Sequence, residues 1–343
     1  MSEFRTIRGF EDVWRPPVGR RRTPETVLGL PPSEVRAKLV RVVRRAPEVM
    51  VKVTGRTRDA AHLKAHLDYV SRNGALDLED REGWLLEGSA AVRELAADWS
   101  AAAALDSRRR SNTPISLALV LSMPAGTDPY AVRDAARSFC AGAFGDRFDY
   151  VFALHTDEPH PHVHVTVRCL GPSGERLNPK KAALAEWREL FAACLRELGV
   201  EAEATPRRAR GVSRKAERGV LRRIGERAVA GRGPVGRVQR ALIVEAARTA
   251  SMASAEVQPW EKQLLKRRQQ VRAFYLGQAR LLQSSTDEAD RRLGIEVEAF
   301  VREMPAADTQ RLVLARELRS ANERKAPEGR DGSEELRDRS RNG

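Results

Sequence analysis

The stretch His155-Thr156-Asp157-Glu158-Pro159-His160-Pro161-His162-Val163-His164-Val165-Thr166-Val167 holds four of the six histidines of this 343-residue chain. Side chains alternate faces along a β-strand, so His162 and His164 project together from one face while Val163 and Val165 turn into a core. Two imidazoles so placed make a bidentate pair. His155 ends the preceding apolar run, and a hairpin closed by the two-proline loop brings it beside them as a third ligand, with open positions left for substrate. Asp157 is then expected to fix a histidine tautomer by accepting its ring N–H. Glu158 and His160 lie within reach of the same ion, and either could replace one of the three.

Working outward, Tyr150 to Thr156 and Val163 to Leu170 read as paired strands, and Ile115 to Met123 as another, closed by Pro124-Ala125-Gly126. Glu48 to Thr54 is a further strand that should end at Gly55. Between Thr57 and Asn73, Leu63, Leu67 and Val70 recur at i, i+4, i+7, which predicts a helix capped by Thr57 and stopped at Gly74. A neighbouring stripe of that helix carries His62, His66 and Tyr69. Further helices are expected at Ser89–Leu105, Pro129–Gly142 and Lys181–Leu198. Strands paired in hairpins and interrupted by helices predict an α+β fold, an antiparallel sheet with packed helices.

Composition narrows the partner. Lys and Arg total 61 against 47 Asp and Glu, a formal +14, and 52 of the basic residues are arginine, whose planar fork suits phosphate. A polyanion such as nucleic acid is the expected partner, although codon bias accounts for part of the arginine excess. The run from Thr205 to Arg240 alone carries +10. Hydrophobic residues make up 41% of the chain, enough for a real core. Cys140, Cys169 and Cys194 are odd in number and widely spaced, which argues against a disulfide framework and for a reducing compartment. No window approaches 18 uncharged apolar residues, so no membrane insertion is expected.

Residues 1–46, with Arg20-Arg21-Arg22 and two Pro-Pro pairs, read as a flexible basic arm holding at most one short helix, Ser33 to Arg45. Residues 47–228 form the chemical domain. Residues 229–343 are helix-prone with breaks near Ser284-Ser285 and Pro305, and the charged end from Pro327 is expected to be disordered.

Three segments together, Leu67-Asp68-Tyr69-Val70-Ser71-Arg72-Asn73-Gly74, Leu121 to Thr127 and His155 to Val167, resemble the MobA/VirD-type relaxases, most closely the T-DNA border endonuclease branch. The likeness runs from about Val49 to Arg227. It implies a HUH site, here His162-Val163-His164, with His155 as third ligand to a divalent metal ion, Mg2+ or Mn2+. It implies Tyr69 as nucleophile, Asp157 as the acidic residue of the site, and Ser122 as a contact to the DNA 3′ of the nick. A free tyrosine ionises near pH 10, so the attack needs a metal, a base or a cation nearby, and His66 and His62 on the same helix stripe are candidates for that role or for gripping the adjacent phosphate. Arg56, Arg72, Arg168, Arg207, Arg208 and Arg210 are candidate DNA-binding residues; Arg168 stands where the family often has Asn.

The resemblance further implies a bacterial cytoplasmic protein that nicks single-stranded DNA at a transfer origin. Its partners would be an accessory relaxosome protein and a type IV coupling protein, with passage into a recipient cell. Rival readings are a replication initiator or transposase of the same chemistry, which usually places its tyrosine after the histidines. A DNA-binding module with a degenerate site and a small-molecule metallohydrolase complete the set; +14 disfavours the last.

Overall fold

A computed structural model describes residues 4–14, 31–212, 219–252, 257–305 and 308–325. The triple-arginine run, Lys215 and its neighbours, and the charged end from Pro327 lie outside the described residues. Over the described residues the chain forms two compact units, Met1–Pro206 with Gln278–Phe300, and Arg207–Gly277 with Val301–Gly343.

The first unit contains α1 (Pro32–Val43), β1 (Met50–Thr57), α2 (Ala60–Val70), β2 (Leu78–Asp80), β3 (Leu85–Leu86), α3 (Gly88–Leu105), β4 (Ser116–Ser122), α4 (Pro129–Ala143), β5 (Tyr150–His155), β6 (His162–Arg168) and α5 (Lys181–Glu197). Its six strands form one sheet in the order β1-β4-β6-β5-β2-β3, every pairing antiparallel. This is the α+β architecture expected.

Each sheet face has its own core, because successive strand residues point opposite ways. On one face Leu117, Leu119 and Leu121, Val163, Val165 and Val167, and Tyr150 and Phe152 pack with α4 and α5 through Phe139, Trp187, Phe191 and Leu195. On the other, Val151 and Ala153 pack with Leu63, Leu67 and Val70 of α2 and Val92, Ala96 and Trp99 of α3. Two helices therefore cover each side of the sheet.

Several local expectations are corrected. Gly55 does not end β1; the strand continues through a register shift between Val53 and Gly55, a bulge that leaves Thr54 without a partner on β4. Helix α2 is capped by Asp59, whose carboxylate accepts from the His62 backbone N–H at 2.8 Å. Thr57 instead sits in the strand and shares a 2.7 Å hydrogen bond with Ser116. Strands β2 and β3 were not anticipated.

The N-terminal arm is also less loose than its composition suggested. Val35, Leu39 and Val42 of α1 are buried, as are Phe10, Val13 and Trp14. Lys38 and Arg41 both pair with Glu203, which is fully buried. Burial raises the Glu203 pKa, but Lys38 and Arg41 outweigh it and the carboxyl ends below its usual value.

In the second unit the described helices are α6 (Gly219–Val229) and α7 (Arg237–Ser251), with α8 (Pro259–Gln283), α9 (Glu288–Arg302) and α10 (Gln310–Lys325) contributing in part or whole. The breaks fall at Ser284–Ser285 and Pro305 as the sequence indicates. Buried Glu261 accepts from Thr309 and Arg311 and so anchors α10 to α8 within this unit. Among the described residues no helix is long and apolar enough to cross a membrane.

Candidate active site

The register of the central strands assembles the site. His155 ends β5 directly opposite His162, and His164 faces Ala153 across the same ladder and Val120 across the other. All three imidazoles lie on the sheet face covered by α2, and one nitrogen from each falls within 4.8 Å of the others. Among the described residues this is the one group with ligand spacing. Glu158 and His160 are not part of it. His160 is held elsewhere, its Nδ1 accepting the Ala125 backbone N–H at 3.0 Å and so pinning the turn after β4.

The histidines are prepared to coordinate. Burial, followed by repulsion from His155 and His162, brings the pKa of His164 down to about 3, so the ring is neutral and offers a lone pair at physiological pH. His155, 1% exposed, is likewise lowered, chiefly by burial. His162 donates from Nδ1 to the His160 carbonyl at 3.0 Å, which leaves Nε2 as its ligand atom. His155 Nε2 donates to the Val70 carbonyl at 2.8 Å, and its Nδ1 accepts from Arg72 at 3.1 Å. Three imidazoles fit a divalent ion, and an all-nitrogen set suits Mn2+ or a later first-row metal better than oxygen-seeking Mg2+.

Tyr69, on the last turn of α2, stands beside this triad. Its ring centroid is 5.4 Å from that of His164, edge-on, and 6.2 Å from that of His155. The Arg72 guanidinium lies 5.5 Å above the ring. Tyr69 is 53% exposed, which leaves it open to a macromolecular substrate. His66, one turn earlier, is hydrogen-bonded through Nε2 to Thr166 at 3.0 Å. Its pKa is lowered by burial and then by His62. The structure thus sets His66 against the strand, next to the site's floor. Ser122, buried and opposite His162, is at the site edge.

Other expectations are corrected. Asp157 does not orient a histidine. It is ion-paired with Arg72, and Arg72 stands between it and His155. Desolvation raises its pKa, but its own backbone N–H and Arg72 together outweigh this and keep the carboxyl below its ordinary value. The tautomer of His155 is fixed by the Val70 carbonyl instead.

Arg168 lies at the opposite end of β6, about 20 Å along the strand from His162, and pairs with Asp149 at 2.9 Å. Arg56 faces Leu117, also toward that far end. Neither is at the triad. Arg207, Arg208 and Arg210 form a short 3-10 turn, Arg207–Arg210, in the second unit; Arg207 is exposed and the other two are half-buried. Sequence reasoning missed Thr166, although strand alternation from His164 would have found it, and the Val70 carbonyl, for which no sequence signal exists.

Residues 69–200 match the family model "Relaxase: MobA/VirD2-like, nuclease domain". A T-DNA border endonuclease VirD2 of Rhizobium radiobacter is 28% identical over 187 residues, 49% of this chain and 44% of that protein. The VirD2 of Agrobacterium fabrum is 30% identical over 136 residues, 35% of this chain and 30% of its own length. The matched segment therefore spans less than half of either relative. A solved chain described as "Molecular Basis of Vancomycin Resistance Transfer in Staphylococcus aureus" is similar at 15% identity and a TM-score of 0.31, over 47% of this chain and 99% of that one. That likeness is too slight to argue from.

Proposed function

We propose that this chain, whose residues 69–200 match the MobA/VirD2-like relaxase nuclease domain, is a conjugative relaxase that nicks single-stranded DNA at a transfer origin through Tyr69. The observation that carries the reading is the Tyr69 ring edge-on to His164, 5.4 Å between centroids, at the mouth of the three-histidine cluster. His155, His162 and His164 would hold a divalent ion, Mg2+ or Mn2+. Bound there, such an ion draws charge off the phosphoryl oxygens and eases departure of the 3′ oxygen.

The rest falls to the chain. Tyr69 Oη attacks phosphorus in line, forming an O–P bond as the P–O3′ bond breaks; the tyrosine proton leaves to solvent or a neighbouring base, and the freed 3′ oxygen takes up a proton. The 5′ end stays bonded to Tyr69, and because the phosphodiester energy is retained, the reverse attack rejoins the strand without ATP. Arg72, over the ring, supplies the cationic neighbour that a tyrosine nucleophile requires. Ser122 at the strand end is assigned to the DNA 3′ of the nick, and Arg207, Arg208 and Arg210 to the phosphate backbone.

Residues 47–228 are assigned to the nuclease domain and 229–343 to partner binding, with an accessory relaxosome protein and a type IV coupling protein as partners. Cytoplasmic residence and passage to a recipient cell belong to the same proposal. Labelled transfer-origin oligonucleotides with Mn2+ or Mg2+ should give a covalent 5′ adduct that Tyr69→Phe abolishes. An adduct undiminished in Tyr69→Phe would overturn the nucleophile, and absence of metal-dependent cleavage would favour a binding module.

A further inference from the structure

We propose that Arg72 is a positioning residue that competes with the divalent ion for the Nδ1 lone pair of His155, so that a DNA phosphate drawing Arg72 away admits the ion. The inference rests on the relaxase reading above. His155 has spent Nε2 as a donor to the Val70 carbonyl at 2.8 Å. Its one remaining lone pair, on Nδ1, accepts from Arg72 at 3.1 Å. A lone pair serves one partner, so a guanidinium N–H and a metal ion exclude each other there.

Arg72 has somewhere else to go. Its guanidinium is already paired with Asp157 and lies 5.5 Å over the Tyr69 ring. A phosphate brought to the Tyr69 hydroxyl would be within its reach, and the planar fork pairs with phosphate in a way an ammonium cannot.

The backbone beneath it is fixed. Arg72, Asn73 and Gly74 are three successive left-handed residues, with φ of 53°, 59° and 84°. Gly74 is pressed so closely on α3 that an added Cβ would lie 2.3 Å from the Ser89 nitrogen. Such conformations persist only where the surroundings enforce them, which leaves side-chain rotation as the available motion. Metal and single-stranded DNA should therefore bind with positive, reciprocal coupling. The centre would load its ion when a strand is present to be cut.

The test is calorimetric titration of the full chain carrying Tyr69→Phe with Mn2+, with and without a saturating single-stranded transfer-origin oligonucleotide. Displacing a hydrogen bond to a charged group is worth roughly a factor of ten or more, so the oligonucleotide should tighten Mn2+ binding about tenfold. Arg72→Asn, a residue that tolerates positive φ, should bind Mn2+ about tenfold more tightly without DNA and lose the DNA effect. Arg72→Lys keeps the charge but cannot bridge both partners, and should follow the Asn variant. If Arg72→Asn matches its parent, or Arg72→Lys follows the parent, direct competition is overturned. A Mn2+ site that His164→Ala removes but Arg72 variants do not alter sinks this inference and leaves the relaxase reading standing. Absence of any His164-dependent Mn2+ site sinks both.

Discussion

Acidification should destabilise the folded chain, and His164 contributes a loss whose size can be worked out. Its pKa is about 3 in the folded chain, because burial first and then His155 and His162 oppose the imidazolium. In the unfolded chain it returns to about 6.5. Between these values the unfolded state binds a proton that the folded state does not, so stability falls as pH drops from 6.5 toward 3. Each pH unit in that window costs about 1.4 kcal/mol, and the loss from this one residue between pH 8 and pH 5 is about 2 kcal/mol. The side chain is 8% exposed, so solvent screening takes little from that figure. Urea unfolding followed by tryptophan fluorescence at pH 8 and pH 5, with chelator present, measures it. His164→Gln cannot titrate, and its loss over the same interval should be about 2 kcal/mol smaller than that of the native chain. Equal losses in the two proteins would refute a buried neutral His164.

Gly74→Ala should destabilise by on the order of 2 kcal/mol or more, since its Cβ would strike Ser89 at a φ of 84°. It should also reduce adduct formation by shifting the end of α2; an unchanged urea midpoint would contradict this. Arg168→Ala removes a half-exposed ion pair with Asp149 at the far end of β6, so stability should change by less than about 1 kcal/mol and adduct yield should hold. A severalfold drop in adduct would return Arg168 to a DNA-contacting role.

What could be read from the sequence was what is local. The alternation of His162 and His164 against Val163 and Val165 fixes both the strand and its two faces, because a period of two allows no other assignment. Strands β2 and β3, three and two residues long, are too short to show a period. The bulge at Thr54 depends on pairing with β4, which no single strand reveals. In α1 the apolar spacing Val35, Leu39, Val42 was present, but Lys38 and Arg41 beside it read as a solvated basic arm. Their partner, Glu203, lies some 160 residues away in the chain. Arg168 and Arg72 were both plausible phosphate ligands by composition; only the ladder register shows that one is at the wrong end of its strand and the other is at the triad.

The meeting of nucleophile and ligands follows from how α2 packs. Its apolar stripe, Leu63, Leu67 and Val70, shares a core with Val151 and Ala153 of β5. That contact turns the adjacent stripe, His66 and Tyr69, toward the neighbouring strand β6. The two elements run in opposite directions, with His66 on Thr166 and Tyr69 beside His164. Three helical residues advance about 4.5 Å and two strand residues about 6.6 Å, close enough for successive polar side chains to meet successive inward-facing ones. The apolar spacing of α2, which by itself says only that a helix exists, therefore also fixes which residue of its polar stripe reaches the metal ligands. Tyr69 is that residue because Leu67 and Val70, on either side of it, are buried.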